Sequence, residues 1–481
     1  MYLSLIFFQC DALISANLSH IVHFPSSPSY PSLVENSWTK ETQRSPYCFA
    51  VPNTPTEVSQ TLLALQSAGN GTGDWHIAIR SGGHGSDSQN SITDGVILDL
   101  SHLNATTYDA ATKVASVGTG ARWGNVYSDL QKQGVSVTGG RQSIVGVGGL
   151  ILGGGVGWTT PRTGFACDNV VNFEVVLASG EVVNANASAH SDLWRALKGG
   201  SSNFGVVTRF DINTFPASNI TIERRTTGPE YTDQFMAAII DFTNLDQSFD
   251  ENAMVWVISY FPGVGLTMTA TEVNTVNNAN TTSFDKFHDI PLISTTGKKS
   301  YTLPDAAAID APENVGAGAV TIANDPRVLR YCFEQHIELI ASLNATVGKN
   351  FSTIIEMQPL PTYFSDISVQ KGGNMLGLEQ DGRNKLYFAM AVILTTPETI
   401  KLKPQVFQIL SATVQKVITY AKTVQASEEF IYLPYAKAGQ DPLGSYCSNN
   451  VHYMKEVSKH YDPERFFQRM VPGVFKIDRV D

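Results

Sequence analysis

Residues 139–157 read GGRQSIVGVGGLILGGGVG, with nine glycines in nineteen positions. Between them stand Ile144, Val145, Val147, Leu150, Ile151 and Leu152, so the run is apolar and glycine-dense together, unlike a polar Gly/Ser linker. Backbone this bare and this hydrophobic suits close packing against a large flat apolar ligand. It is not a dinucleotide fingerprint. Counting G-x-G-x-x-G from Gly146 and Gly148, the sixth position is Ile151, and from Gly153 and Gly155 it is Trp158, so a Rossmann site is disfavoured.

A second cluster lies upstream. Trp75 to Gly85 reads WHIAIRSGGHG. His76 to Arg80 alternates as a strand does, then breaks on Ser81, Gly82, Gly83, His84 and Gly85. A turn of this kind can reach φ > 0 and can gather its N–H groups around an anion such as a phosphate. His84 is the one nucleophilic side chain in it. The plain alternative is a turn histidine with no bond to any ligand.

These two clusters carry a resemblance. Arg80-Ser81-Gly82-Gly83-His84, VGVGGLILGGGVGW (145–158), GFACDNVVNFEVVLASGEVV (164–183), GGSSNFGVVTRF (199–210) and YDPERFFQRMVPGVFKI (461–477) occur in family order across nearly the whole chain. Together they resemble the FAD-linked oxidoreductases with a p-cresol methylhydroxylase-type FAD domain, within them the berberine-bridge-enzyme-like group and especially its fungal members. The resemblance implies an α+β fold, in which a two-subdomain FAD-binding domain is joined to a substrate domain with an antiparallel sheet covered by helices. The implied boundaries are an N-terminal arm over 1–44, the FAD domain over 45–216, the substrate domain over 217–438, and a segment over 439–481 that packs back on the FAD domain.

The resemblance also assigns residues. His84 is implied to bond covalently to the 8α-methyl of FAD, which raises the flavin's potential. The cofactor wall is expected to comprise Ser81, Gly82, Gly83, Gly85, Gly139, Gly140, Val145, Gly146 and Gly149, with Arg80 either touching the cofactor or anchoring the loop. Asn203, Gly205 and Val206 match a family N-F-G-[IV] turn near the flavin, and Asn450 matches a family asparagine there. Many relatives add a second bond from a cysteine in a C-P-T-V-G-V-G-G run. The matching run here begins at Gln142, so one covalent bond is expected. Tyr432-Leu433-Pro434-Tyr435 resembles a Y-x-N-Y strand whose tyrosines face the substrate. Tyr435 is the candidate base and Tyr432 its support, with Pro434 standing where the family has asparagine. Two strand tyrosines packed as plain aromatics is the competing reading.

The rest of the chain is consistent with a water-soluble enzyme. A length of 481 residues allows two to three domains. A net charge of -11 disfavours nucleic acid and anionic membranes as partners, and no apolar stretch is long enough to span a bilayer. Five cysteines without C-x-x-C spacing speak against zinc, and no metal is expected. The resemblance suggests a Cys10–Cys48 disulfide. Tyr2 to Phe8 is apolar like the tail of a signal peptide but lacks a basic flank. Eight N-x-S/T sequons, at Asn17, Asn70, Asn104, Asn186, Asn219, Asn280, Asn344 and Asn350, point to a glycosylated, secreted or secretory-pathway protein. A hydrolase elbow fails at Gly200-Ser201-Ser202-Asn203-Phe204, where Phe204 replaces the second glycine.

The reaction expected from this reading is two-electron oxidation of a small organic substrate, such as a fungal secondary-metabolite intermediate. Molecular oxygen is the expected acceptor and the chain a monomer. A carbohydrate or alcohol oxidase is the runner-up, although a single flavin tether disfavours bulky oligosaccharides. A non-redox flavoprotein cyclase or binding protein is the alternative from another class.

Overall fold

The computed structural model describes residues 8–68, 76–85, 90–308, 315–473 and 475–481. Residues 2–7 of the apolar start, the Asn70 sequon and Trp75 lie outside the described residues. Three sheets carry the architecture.

The first takes β1 (Val22–His23), β2 (Cys48–Ala50), β3 (His76–Arg80) and β4 (Gly95–Asp99), in the order β1-β2-β4-β3. β3 runs parallel to β4 with Arg80 opposite Asp99. The helix Pro55–Ala68 covers it, begun by Thr54, whose hydroxyl accepts from the Glu57 N–H.

The second sheet takes β5 (Thr106–Asp109) and β6 (Val114–Gly118) and, after the short β7 (Val135–Ser136), β8 (Val170–Val176), β9 (Val182–Asn186) and β10 (Val206–Asn213). Its order is β5-β6-β10-β8-β9, while β7 pairs with β11 (Phe215–Pro216). β8 and β9 pair as an antiparallel hairpin across Ser179-Gly180.

The third sheet is antiparallel and built from β12 (Ile220–Thr227), β13 (Asn252–Phe261), β14 (Gly265–Asn274), β15 (Ser294–Thr295), β16 (Lys299–Tyr301), β17 (Val315–Ala323), β18 (Phe351–Leu360) and β19 (Lys385–Leu394). Its order is β15-β12-β14-β13-β18-β19-β17, with β16 beside β12. Side chains alternate between its faces. One face buries Trp256, Met268, Met357 and Phe388 against helices Thr232–Thr243, Pro326–Val347 and Lys403–Thr423. Asp325 caps the middle helix by accepting from the Arg327 N–H, with Pro326 in its first turn. The opposite face is turned toward the glycine-rich loops.

The C-terminal segment returns to the first two sheets. Ile77 donates its N–H to the Met470 carbonyl, and the Asn203 side chain accepts from Ile477 N–H. Cys10 and Cys48 form a disulfide that ties the helix Phe8–Ser15 to β2.

One expected element is corrected. Residues 432–435 are a single 3-10 turn, Leu433–Tyr435, rather than a strand. Pro434 fixes its own φ and has no N–H for a ladder, and Tyr435 N–H bonds back to the Tyr432 carbonyl at 3.0 Å. A strand would send residues three apart to opposite faces, whereas a 3-10 turn eclipses them. Both tyrosines therefore point the same way, with ring centroids 5.2 Å apart.

Candidate active site

A cavity of about 570 Å³ lies between the two glycine clusters and the uncovered face of the third sheet. On the loop side, the chain leaves β3 and turns through Ser81–Gly85. Gly83 has φ +71, and a Cβ there would sit 2.5 Å from the Asn36 carbonyl oxygen, so only glycine fits. A Cβ on Gly82 would lie 2.4 Å from Gly146 Cα. The two clusters thus touch backbone to backbone. Ser81 fastens them, donating its hydroxyl to the Thr119 carbonyl at 2.6 Å and accepting from Gly148 N–H at 3.3 Å.

His84 lines the cavity. Its ring stacks on Trp38, centroids 4.4 Å apart, and its Nε2 is buried with no hydrogen-bond partner among the described residues. Burial, reinforced by the nearby Arg122 charge, lowers its pKa to about 4. The imidazole is therefore neutral at ordinary pH, with a free lone pair.

Across the cavity, β18 presents Ile354, Glu356 and Gln358 on the face opposite its core residues Ile355 and Met357. Glu356 Oε1 accepts from Tyr435 Oη at 3.1 Å, from Gln358 Nε2 at 2.8 Å and from Arg141 Nη2 at 3.3 Å. Arg141 also donates to Tyr435 Oη at 2.7 Å and lies over the Trp158 ring. Tyr387 donates to Gln358 Oε1 behind this cluster. Tyr432 accepts from the Val156 N–H at 2.8 Å and sits on the same wall. Burial and the Glu356 charge push Tyr435 up to about 12. That is the reverse of the shift a phenolic base needs, so Tyr435 is a neutral hydroxyl bonded to a carboxylate.

The structure brings His84, Ser81, Gly82, Gly83, Gly85, Gly140, Val145, Gly146, Gly149, Tyr432 and Tyr435 to one cavity. It places six other expected residues behind the wall. Arg80 is buried in an ion pair with Asp99, over the Phe49 ring, because the parallel register sets the two opposite each other. Gly139 makes room for the Trp123 ring. Asn203 is fully buried, donating to Gly200 O and accepting from Gln468 and Ile477. Gly205 lets the chain pass Val175 and Val176, and Val206 is core. Asn450 donates to the Met375 carbonyl. These residues shape the scaffold around the cavity without facing it.

Sequence reasoning missed Glu356, Arg141 and Gln358. The signal for Glu356 was one acidic residue at the centre of the apolar strand FSTIIEMQPL. Arg141 and Gln358 had no comparable signal. Outside the cavity, Glu223, Glu272 and His288 bring ligand atoms within 4.8 Å of one another. The Arg225 guanidinium lies 3.3 Å from Glu223 and 3.8 Å from Glu272, so that group already has its cation.

Residues 46–186 match the FAD binding domain family. The FAD-dependent monooxygenase sdcF of Emericella nidulans is 33% identical over 481 residues, covering 98% of this chain and 98% of that protein. The chain belongs to the FAD-dependent oxidoreductases that carry this FAD binding domain. The FAD-dependent monooxygenase drtC of Aspergillus calidoustus is also 33% identical, over 96% of this chain and 87% of that one. Among solved structures, 6-hydroxy-D-nicotine oxidase from Arthrobacter nicotinovorans matches with a TM-score of 0.75 at 19% identity, covering 93% of this chain and 96% of that one. Berberine bridge enzyme from Eschscholzia californica matches at 0.74 and 17% identity, over 95% and 97%. These likenesses show the shared fold.

The residues present fit the cofactor of that family. His84 offers a buried, unpartnered nitrogen. A Cβ on the cavity-lining Gly149 would meet nothing within 4 Å, so bare backbone faces open space there.

Proposed function

We propose that this oxidoreductase removes two electrons from a small organic substrate and passes them to molecular oxygen, with FAD tethered through His84. The observation that carries this reading is the single cavity, with His84 on one wall and Glu356 hydrogen-bonded to Tyr435 on the other. Bound FAD supplies the two-electron acceptor. The chain's own residues supply position and proton handling. Glu356 is the cavity carboxylate, and it takes the substrate proton directly or through Tyr435 Oη. Arg141 and Gln358 donate to the carboxylate and fix its orientation. Gln142 lines the same cavity without a thiol, so a single tether is proposed.

The test is anaerobic substrate addition followed by air. Loss of the absorbance near about 450 nm, then recovery with peroxide formed one for one, supports an oxidase. A flavin that never bleaches with any substrate defeats the proposal. The names of the fungal relatives favour one second reading, monooxygenation. In that case an atom of ¹⁸O₂ appears in the product and peroxide falls short of turnover.

The secretory pathway is proposed as the setting, supported by the Cys10–Cys48 disulfide and by exposed sequons at Asn17, Asn104, Asn219, Asn280, Asn344 and Asn350. A mass unchanged by endoglycosidase, in protein from a eukaryotic host, would count against it.

A further inference from the structure

The cations that line or flank the cavity differ in what they are bound to. Arg141 is bound to Glu356 and Tyr435, and Arg122, near His84, donates to the Ile144 carbonyl and to Asn36. Arg224 lines the cavity from β12. Its backbone is tied to Thr296 on both sides, but its guanidinium has no hydrogen-bond or ion-pair partner among the described residues. A guanidinium offers a planar fork of donors that matches a carboxylate.

Its place in the sheet is fixed by register. Arg224 pairs with Thr271, and Thr271 with Val255, all three lining the cavity. Val257, two residues further along and on the same face, pairs with Glu356. Arg224 and Glu356 therefore look into one space from strands three steps apart, about 14 Å between strand axes. Between and beyond them the face is apolar and small, with Val255, Ile354, Ala389 and Ala391.

We propose that the substrate is a carboxylic acid: an elongated, largely apolar molecule that sets its carboxylate on Arg224 and its oxidisable group at Glu356 and Tyr435. This specificity role rests on the functional reading above, which makes the sheet face the substrate side of a flavin. It excludes neutral sugars as preferred ligands, because they would leave Arg224 unpaired.

The test uses flavin-loaded enzyme titrated with 2-naphthoate and with 2-naphthamide, a neutral molecule of the same shape, read by perturbation of the flavin spectrum. Wild type is expected to bind the acid about tenfold or more tightly than the amide. Arg224→Met should abolish that preference while leaving amide affinity within about twofold, and Arg224→Lys should restore part of it. Equal binding of acid and amide by wild type, a preference that survives Arg224→Met, or no response to either ligand overturns the proposal. Failure of the underlying reading has a different signature, because the protein would then purify without flavin or with flavin that no reductant-free substrate bleaches.

Discussion

At the scale of single residues, two groups are pushed to opposite ends of the pH range by the same cause. Burial keeps His84 neutral by lowering its pKa to about 4 and keeps Tyr435 neutral by raising it to about 12. Tyr435→Phe is therefore expected to lower kcat by about tenfold through loss of its hydrogen bonds to Glu356 and Arg141, with no limb removed from the rate profile between about pH 7 and about pH 10. A limb that vanishes in that window would instead make the phenol the base. Glu356→Gln should cost about 10²–10⁴-fold in kcat with flavin content intact, measured by steady-state kinetics against absorbance. His84→Ala should release its flavin into the supernatant on acid precipitation. Glu272, fully covered on the helix side of the third sheet, has its pKa raised to about 8 by burial while His288, bonded to it at 2.9 Å, is lowered. Both shifts run toward the uncharged form of the group concerned. For Glu272 a folded pKa above the unfolded value means stability that is full below about pH 4.5 and lost as pH rises through about 8. Glu272→Gln should flatten that loss by at least about 1.4 kcal/mol between pH 6 and 9, seen in denaturant midpoints across pH.

At the scale of elements, the glycine runs separate into two jobs that look alike in the sequence. Gly82 and Gly146 are bare because two backbones cross there, whereas Gly149 is bare where the cavity begins. Gly146→Ala is expected to destabilise the fold by about 1–3 kcal/mol through overpacking. Gly149→Ala should leave thermal unfolding of the flavin-free protein unchanged and reduce flavin loading. Unfolding temperature and the ratio of flavin to protein absorbance, measured on both variants, distinguish the two jobs. Pro434 shows the complementary effect. It stands inside a 3-10 turn, which brings Tyr432 and Tyr435 into ring contact where a strand would separate them.

At the scale of the molecule, three sheets meet around one cavity, and the N- and C-terminal segments hold the loop-bearing part together. The Cys10–Cys48 link closes a 38-residue separation, so Cys10→Ser is expected to cost about 2–4 kcal/mol in denaturant unfolding without altering the flavin spectrum. What the sequence determined by itself was everything encoded locally. The turn at His84, the alternation of His76 to Arg80 before it and the missing thiol at Gln142 each depend on neighbours a few positions away. The ordered motifs extended this to the family and its cofactor. Only the tertiary structure decided which residues share the cavity. Asn203 and Gly205 sit in a motif yet face the core, while Glu356, Arg141 and Arg224 belong to no motif and meet in one space. The reason is physical: strand register and loop crossing join residues hundreds of positions apart, and whether a side chain points at a ligand or at a neighbouring strand depends on the partner strand, which local pattern does not contain.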